Sequence, residues 1–259
     1  MLYCNESAFV GLIEIFRLCF RFAMILPHEI AGAAVTPSGW VISSTEALGG
    51  QGWQAIFGND HPLKVDVGCG YGHFLTAMAQ AEPHSNFIGI DLYAKGIARA
   101  QQKSERLQLA NVRLLAMPAQ AAFETAFASG QLATLYINFP DPWPKRRHAR
   151  RRLVQPALVA LMHDRLQAKG VVIVATDVAG YAREMLQHFL AHGGFESCEA
   201  AGIVSELPDR VPTLYETKFR RQGLPLFYFK LRKISLSSSP AGGESDHEAA
   251  GQGSSFLAF

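Results

Sequence analysis

A chain of 259 residues, 49% hydrophobic and 18% charged, is sized for one α/β domain with extensions and excludes a wholly disordered protein. The net charge of +2 excludes a general polycation, so strong binding of a polyanion has to come from a local cluster. The four cysteines, Cys4, Cys19, Cys69 and Cys198, show no metal spacing and no paired framework, which fits a reduced, cytoplasmic protein with no bound metal.

In chain order, 8–26 is largely apolar, but Glu14, Arg17 and Arg21 interrupt it. A charge at the centre of a span costs about 2.5–3.5 kcal/mol on insertion scales, so the segment reads as an apolar helix rather than a membrane span, and no stable membrane association is expected. Residues 36–60 are rich in Gly, Ser and Thr and read as irregular linker. The expected domain runs over 61–233, between an N-terminal extension (1–60) and a disordered Ser/Gly/Ala-rich tail (234–259).

Within that domain, Leu63–Val67 predicts a buried strand. Gly68-Cys69-Gly70-Tyr71-Gly72 turns out of it into a helix over Phe74–Ala81. A strand over Asn86–Ile90 is closed by Asp91, and helix Lys95–Leu109, strand Val112–Leu115 and helix Ala119–Ala128 follow. Strand Leu132–Ile137 then leads through Asn138 into Phe139-Pro140-Asp141-Pro142-Trp143-Pro144 and a basic run, Lys145 to Arg152. Beyond it come helix Leu153–Ala168 with Gly170 as its stop, strand Val171–Ala175, Asp177, helix Val178–Ala191, and two last strands over Phe195–Val204 and Leu226–Leu231. Strands alternating with helices predict a doubly wound, mostly parallel sheet. Its count and closing pair suit a seven-stranded, Rossmann-like methyltransferase sheet with an antiparallel last strand.

Two constellations carry chemistry. In the first, Asp66 precedes a G-x-G-x-G loop holding Gly68 and Gly70, and Asp91 ends the next strand. Glycines let a ligand approach the backbone closely, and a carboxylate at the second strand end can accept both ribose hydroxyls. An acid before the loop suits a cationic cofactor without a pyrophosphate, which points to S-adenosyl-L-methionine over a nicotinamide. No acid follows the third strand, where Pro118 stands; Gln120 or backbone groups would serve. In the second constellation, prolines fix φ at about −65° and bias the residues before them to extended backbone. They hold Asp141 and Trp143 at a strand end beside a polycation, which is the footprint of a phosphate-bearing substrate. Trp143 can either stack on a base or pack beneath the loop.

Asn138-Phe-Pro-Asp-Pro-Trp-Pro-Lys145 with the Arg/His run resembles the signature of bacterial tRNA (guanine-N7)-methyltransferases. Ala175-Thr-Asp177 with Tyr181 downstream, and Thr213-Leu-Tyr-Glu216-Thr-Lys218-Phe219 before Gly223, add to the resemblance, which covers about 60–233. It implies the methyltransferase sheet, S-adenosylmethionine as donor, and guanine N7 in the tRNA variable loop as acceptor. It also implies Asp66, Asp91 and Asn138 at the cofactor, Asp141 as the active-site acid, and Lys145, Asp177, Thr213, Tyr215, Glu216 and Lys218 at the substrate. Two features depart from the family: Pro118 replaces a cofactor-binding Asp, and residues 1–50 lack an Arg-rich arm. The rival readings are a methyltransferase of a non-RNA substrate, which leaves 145–152 without purpose, and an RNA-binding protein on a decayed methyltransferase fold. The oligomeric state stays open between monomer and homodimer.

Overall fold

The computed structural model describes residues 39–42, 52–208 and 210–236. The apolar stretch 8–26 and almost all of the tail lie outside them. An eight-stranded sheet runs through the molecule. β1 (Val41–Ile42), α1 (Gly52–Phe57), β2 (Leu63–Val67), α2 (His73–Ala81), β3 (Asn86–Ile90), α3 (Ala94–Arg106), β4 (Val112–Leu115), α4 (Ala119–Thr125) and β5 (Leu132–Asn138) come first. A short 3-10 helix (Arg146–Arg151) leads to α5 (Pro156–Arg165), β6 (Leu166–Thr176), α6 (Ala179–Ala191), β7 (Phe195–Ser197), α7 (Leu214–Arg221) and β8 (Phe227–Lys233).

The strand order is β1-β4-β3-β2-β5-β6-β8-β7. β8 lies antiparallel between β6 and β7, and all the other neighbours are parallel. The seven-stranded sheet read from the sequence is therefore present, with the two-residue β1 added at its edge. Because side chains alternate across a strand, Val65, Val67, Ile88, Ile90, Leu135 and Ile137 fill one face, under α4, α5 and α6. Phe87, Leu114 and Tyr136 fill the other with Phe74, Leu75 and Ile97 of α2 and α3. The chain steps from β2 to β3 and β4 on one side, then crosses back to β5 on the other. The carboxyl ends of β2 and β5 flank that reversal, and an open α/β sheet binds ligands there.

Four segments differ from the sequence reading. Residues 40–42 and 52–57 join the fold: β1 pairs with β4, and Trp53 is buried with its indole N–H donating to Ala126 O at 2.8 Å; the small polar residues around the aromatic ones hid this. Helix α5 starts at Pro156, where a missing N–H costs nothing, and gives way to β6 at Leu166. Gly170 is thus no helix stop. It leaves a bulge in which the pairing jumps from Leu132↔Leu166 to Thr134↔Val171, with Lys169 left-handed at φ 62. The stretch Phe195–Val204 pairs as a strand only over its first three residues, and Val204 makes an isolated bridge to Tyr228. Between that stretch and β8, where the sequence reading placed no element, Leu214–Arg221 is a helix capped by Thr213, and it carries Lys218 and Arg220.

Candidate active site

The glycine loop is a set of left-handed turns, with φ 81 at Gly68, 52 at Gly70 and 67 at Gly72. At Gly72 a Cβ would also lie 2.6 Å from the Ala100 Cβ, so packing against α3 adds to the backbone demand. At Gly68 and Gly70 a Cβ meets no atom within 4 Å, so the loop faces open space. The loop is locked from beside: Gly68 N and Cys69 N donate to Ile90 O at 2.8 and 3.1 Å. Asp91 takes one hydrogen bond on each carboxylate oxygen, from Gly70 N at 2.7 Å and from Tyr93 N at 2.8 Å. Each oxygen keeps a lone pair for a hydroxyl. Asp91 thereby sets the distance between the second-strand acid and the loop.

Asp66, the penultimate residue of β2, is 2% exposed. Asn138 Nδ2, at the end of β5, donates to it at 3.3 Å. Burial dominates over that bond and, with repulsion from Asp91, pushes the Asp66 pKa up from 3.8 to about 7. The Asn138 carbonyl in turn accepts from Arg210 Nη2 at 2.7 Å. Arg210 Nη1 pairs with Glu216 Oε1 at 2.5 Å, and the two side chains are 4% and 2% exposed. Glu216 accepts a second donor, Tyr228 OH, at 2.8 Å. Its other oxygen accepts Thr213 N at 2.6 Å, while Thr213 Oγ1 accepts Glu216 N at 3.0 Å. The pair is a capping box whose acid also neutralises a buried guanidinium.

The Pro-rich turn departs from its expected geometry. Phe139 and Trp143, each before a proline, are left-handed at φ 50 and 40 rather than extended, a conformation that costs about 1–3 kcal/mol per residue. Tertiary contacts hold it. Phe139 N donates to Ala175 O at 2.8 Å, and its ring packs on Tyr215 and Phe219 of α7 with centroids 5.8 and 5.9 Å away. Arg152 donates to Pro142 O at 2.7 Å and Trp143 O at 3.2 Å, and forms an ion pair with Glu184 of α6. Trp143 packs edge-on to His148 and beneath Arg151, whose guanidinium carbon lies 5.1 Å from the ring. The indole thus packs on two residues of the basic run. Asp141 stands exposed at the tip. The turn strips water from part of its carboxylate and Asp91 adds repulsion, so its pKa is raised above 3.8. Water on its open side limits the size of that effect. Asp141 thus lies within electrostatic reach of Asp91.

Comparison with known proteins agrees with this geometry. Residues 60–229 match the family model described as "Putative methyltransferase". A tRNA (guanine-N(7)-)-methyltransferase of Nocardia farcinica is 42% identical over 202 residues, covering 73% of this chain and 72% of the relative. The chain belongs to the tRNA (guanine-N7)-methyltransferase family. A second relative of the same description, from Syntrophotalea carbinolica, is 34% identical over 69% of this chain and 77% of its own. The aminoglycoside resistance methyltransferase NpmB1 shares the fold, with a TM-score of 0.50 at 14% identity over 74% of this chain and 95% of that one.

Within this family member the expected site residues separate into two groups. Asp66, Gly68, Gly70, Asp91, Asn138 and Asp141 converge at the carboxyl ends of β2, β3 and β5. Lys145, Asp177, Tyr215 and Lys218 are exposed or half-buried at the same end of the sheet. Thr213 and Glu216, expected to face substrate, are instead buried, with their polar atoms spent on the α7 cap and on Arg210. Arg152, grouped in the sequence with the basic run, pins the turn. Sequence reasoning overlooked Arg210: its partner Asn138 lies 72 residues away, and no local pattern marks a guanidinium that will be buried. Among the described residues no helix is long and apolar enough to cross a membrane, and no three His, Cys, Asp or Glu side chains are placed to hold a metal ion.

Proposed function

We propose that this protein methylates N7 of guanine in the variable loop of tRNA, in the cytoplasm, with S-adenosylmethionine as donor. The observation that carries the reading is the place of Asp141. It sits on a tertiary-clamped turn, within electrostatic reach of Asp91 on one side and adjoining an exposed basic 3-10 helix on the other. The donor site fits the cofactor by its chemistry. Asp91 keeps acceptor capacity for ribose hydroxyls, the open glycine loop admits a ligand against the backbone, and Asp66 with Asn138 offers an acid and an amide to an amino acid moiety. S-adenosylmethionine supplies an electrophilic methyl group on a sulfonium.

Guanine N7 carries a lone pair and no proton, so no residue is needed as a general base. The protein's work is orientation and charge stabilisation. In its ionised form Asp141 accepts hydrogen bonds from the guanine N1–H and exocyclic amine. Those donors grow more acidic as N7 becomes alkylated, so the contact strengthens toward the transition state. Arg146, Arg147 and Arg150 are exposed on the 3-10 helix and meet phosphates, which position the RNA without reading its sequence. Lys145, Asp177, Tyr215 and Lys218 line the approach. The test is incubation of tRNA with the protein and S-adenosylmethionine, followed by mass mapping of modified nucleosides. The expected product is 7-methylguanosine in the variable loop; methylation at another atom, or none, would overturn the reading.

A further inference from the structure

Arg210 takes no part in the methyl transfer itself, yet it is a densely connected buried side chain at the site. Its two Nη groups bridge Asn138 and Glu216, and its plane lies between the rings of Phe74 and Tyr228, 5.3 and 5.5 Å from the centroids. An Arg side chain has only donors, so the amide atom of Asn138 that meets it has to be the carbonyl oxygen. The other end of that amide, Nδ2, is then forced toward Asp66, where it donates to the carboxylate. We propose that Arg210 is a positioning residue of the donor site: by fixing the Asn138 amide in one orientation it keeps Asp66 an ionised acceptor, and by pairing with Glu216 it ties α7 to the end of β5. The inference rests on the S-adenosylmethionine reading above.

Without the guanidinium the amide is free to turn over and set Oδ1 against the Asp66 carboxylate. Two acceptors repel unless the acid takes up a proton, so loss of Arg210 favours protonated Asp66. Of the other groups around Asp66, one carboxylate pushes the same way and two are neutral. Asp91 beyond β3 repels its charge. Cys69, in the glycine loop, is a thiol that burial and the Asp66 charge keep protonated. Tyr136 on β5 is a neighbouring buried phenol that burial keeps neutral. Against these, Arg210 is the cation whose charge favours ionised Asp66. Its Glu216 partner is held in turn by Tyr228, whose phenol is pushed up to about 12 by burial and by its bond to Glu216 and so remains a donor. A lysine cannot bridge Asn138 and Glu216 in one plane, so Arg210→Lys retains the charge and loses the geometry.

The test is calorimetric titration of the full chain with S-adenosylhomocysteine from about pH 6 to about pH 9. Wild-type affinity is expected to fall on acidification as Asp66 protonates. In Arg210→Lys the fall should begin at higher pH, with affinity near neutrality weakened about tenfold, the scale of one charge-assisted hydrogen bond, and largely restored at the alkaline end. If Arg210→Lys fails to fold, Asn138→Leu answers the same question, since it deletes the amide and leaves the Arg210–Glu216 pair intact; its profile should shift in the same direction. A folded variant whose profile superimposes on that of the wild type, displaced only vertically or not at all, would overturn the positioning role while leaving the cofactor reading intact. Absence of wild-type binding at every pH would overturn both.

Discussion

Two carboxylates of the site stand in opposite environments, and this separates their roles. Asp141 is exposed on one side, and in the proposed reading it accepts from a base. Asp141→Asn keeps the shape but turns half of the acceptor into a donor facing the guanine donors. Single-turnover methylation with saturating tRNA and cofactor should slow on the order of 10²–10³-fold, as when one preorganised electrostatic interaction is removed, with cofactor affinity near wild type. Because its pKa is raised by partial burial and by Asp91, the acid limb of the wild-type rate profile should climb with pH as Asp141 ionises, and the Asn variant should lose that limb. Equal rates for the two proteins would reduce the turn to a scaffold. Asp66 is the buried partner. Its folded pKa of about 7 lies above the ordinary value of 3.8, so the folded state binds the proton more tightly than the unfolded one. That contribution is fully present below about pH 4, is lost as pH rises toward 7, and leaves a net cost above it. Asp66→Asn should therefore make the ligand-free protein more stable at pH 8, by a few kcal/mol at roughly 1.4 kcal/mol per pKa unit, with the gain vanishing near pH 4. Urea denaturation at the two pH values decides it. The same variant should bind the donor more weakly, an exchange of stability for function.

At the scale of elements, the 3-10 helix and α7 grip the same turn from two sides. The helix presents Arg146, Arg147 and Arg150 outward, while Arg152 just beyond it turns back to the backbone of Pro142 and Trp143. Replacing the three outward arginines with Gln should weaken tRNA binding and lower its salt slope by roughly one for each phosphate that is no longer neutralised, with donor binding unchanged. An unaltered slope in filter binding across salt concentrations would show that they point away from RNA. Arg152→Gln should behave otherwise. It removes half of an ion pair and two backbone hydrogen bonds beneath two left-handed residues, so the turn relaxes, and methylation rate and melting temperature should fall while the salt slope holds. α7 grips through Phe139 on Tyr215 and Phe219, and through the capping box whose acid holds Arg210. Tyr215 and Lys218 stay exposed on it, where the proposed reading gives them to the substrate.

For the whole molecule, the sheet reversal between β2 and β5 decides where chemistry can occur, and both faces of the sheet are closed by helices to keep it rigid. The segment around Trp53 belongs to that closure. Truncating a buried tryptophan costs about 3–5 kcal/mol, so Trp53→Ala should lower the melting temperature by roughly 10 °C, measurable by calorimetry; a change near zero would mean that 52–57 is an ornament on the fold. Sequence alone determined the strand–helix alternation, the glycine loop, the acids at the ends of β2 and β3, and the Pro-rich turn with its basic neighbour. Each of these rests on periodicity, φ preference or charge spacing within a few residues, which local chain chemistry dictates. The tertiary structure alone decided that Gly170 leaves a bulge, that the residues before two prolines turn left-handed, that Thr213 and Glu216 are buried, and that Arg210 reaches Asp66 through Asn138. Those outcomes depend on partners far along the chain, and the energy that fixes them, a desolvated charge finding its counter-charge, exists only once the sheet has closed.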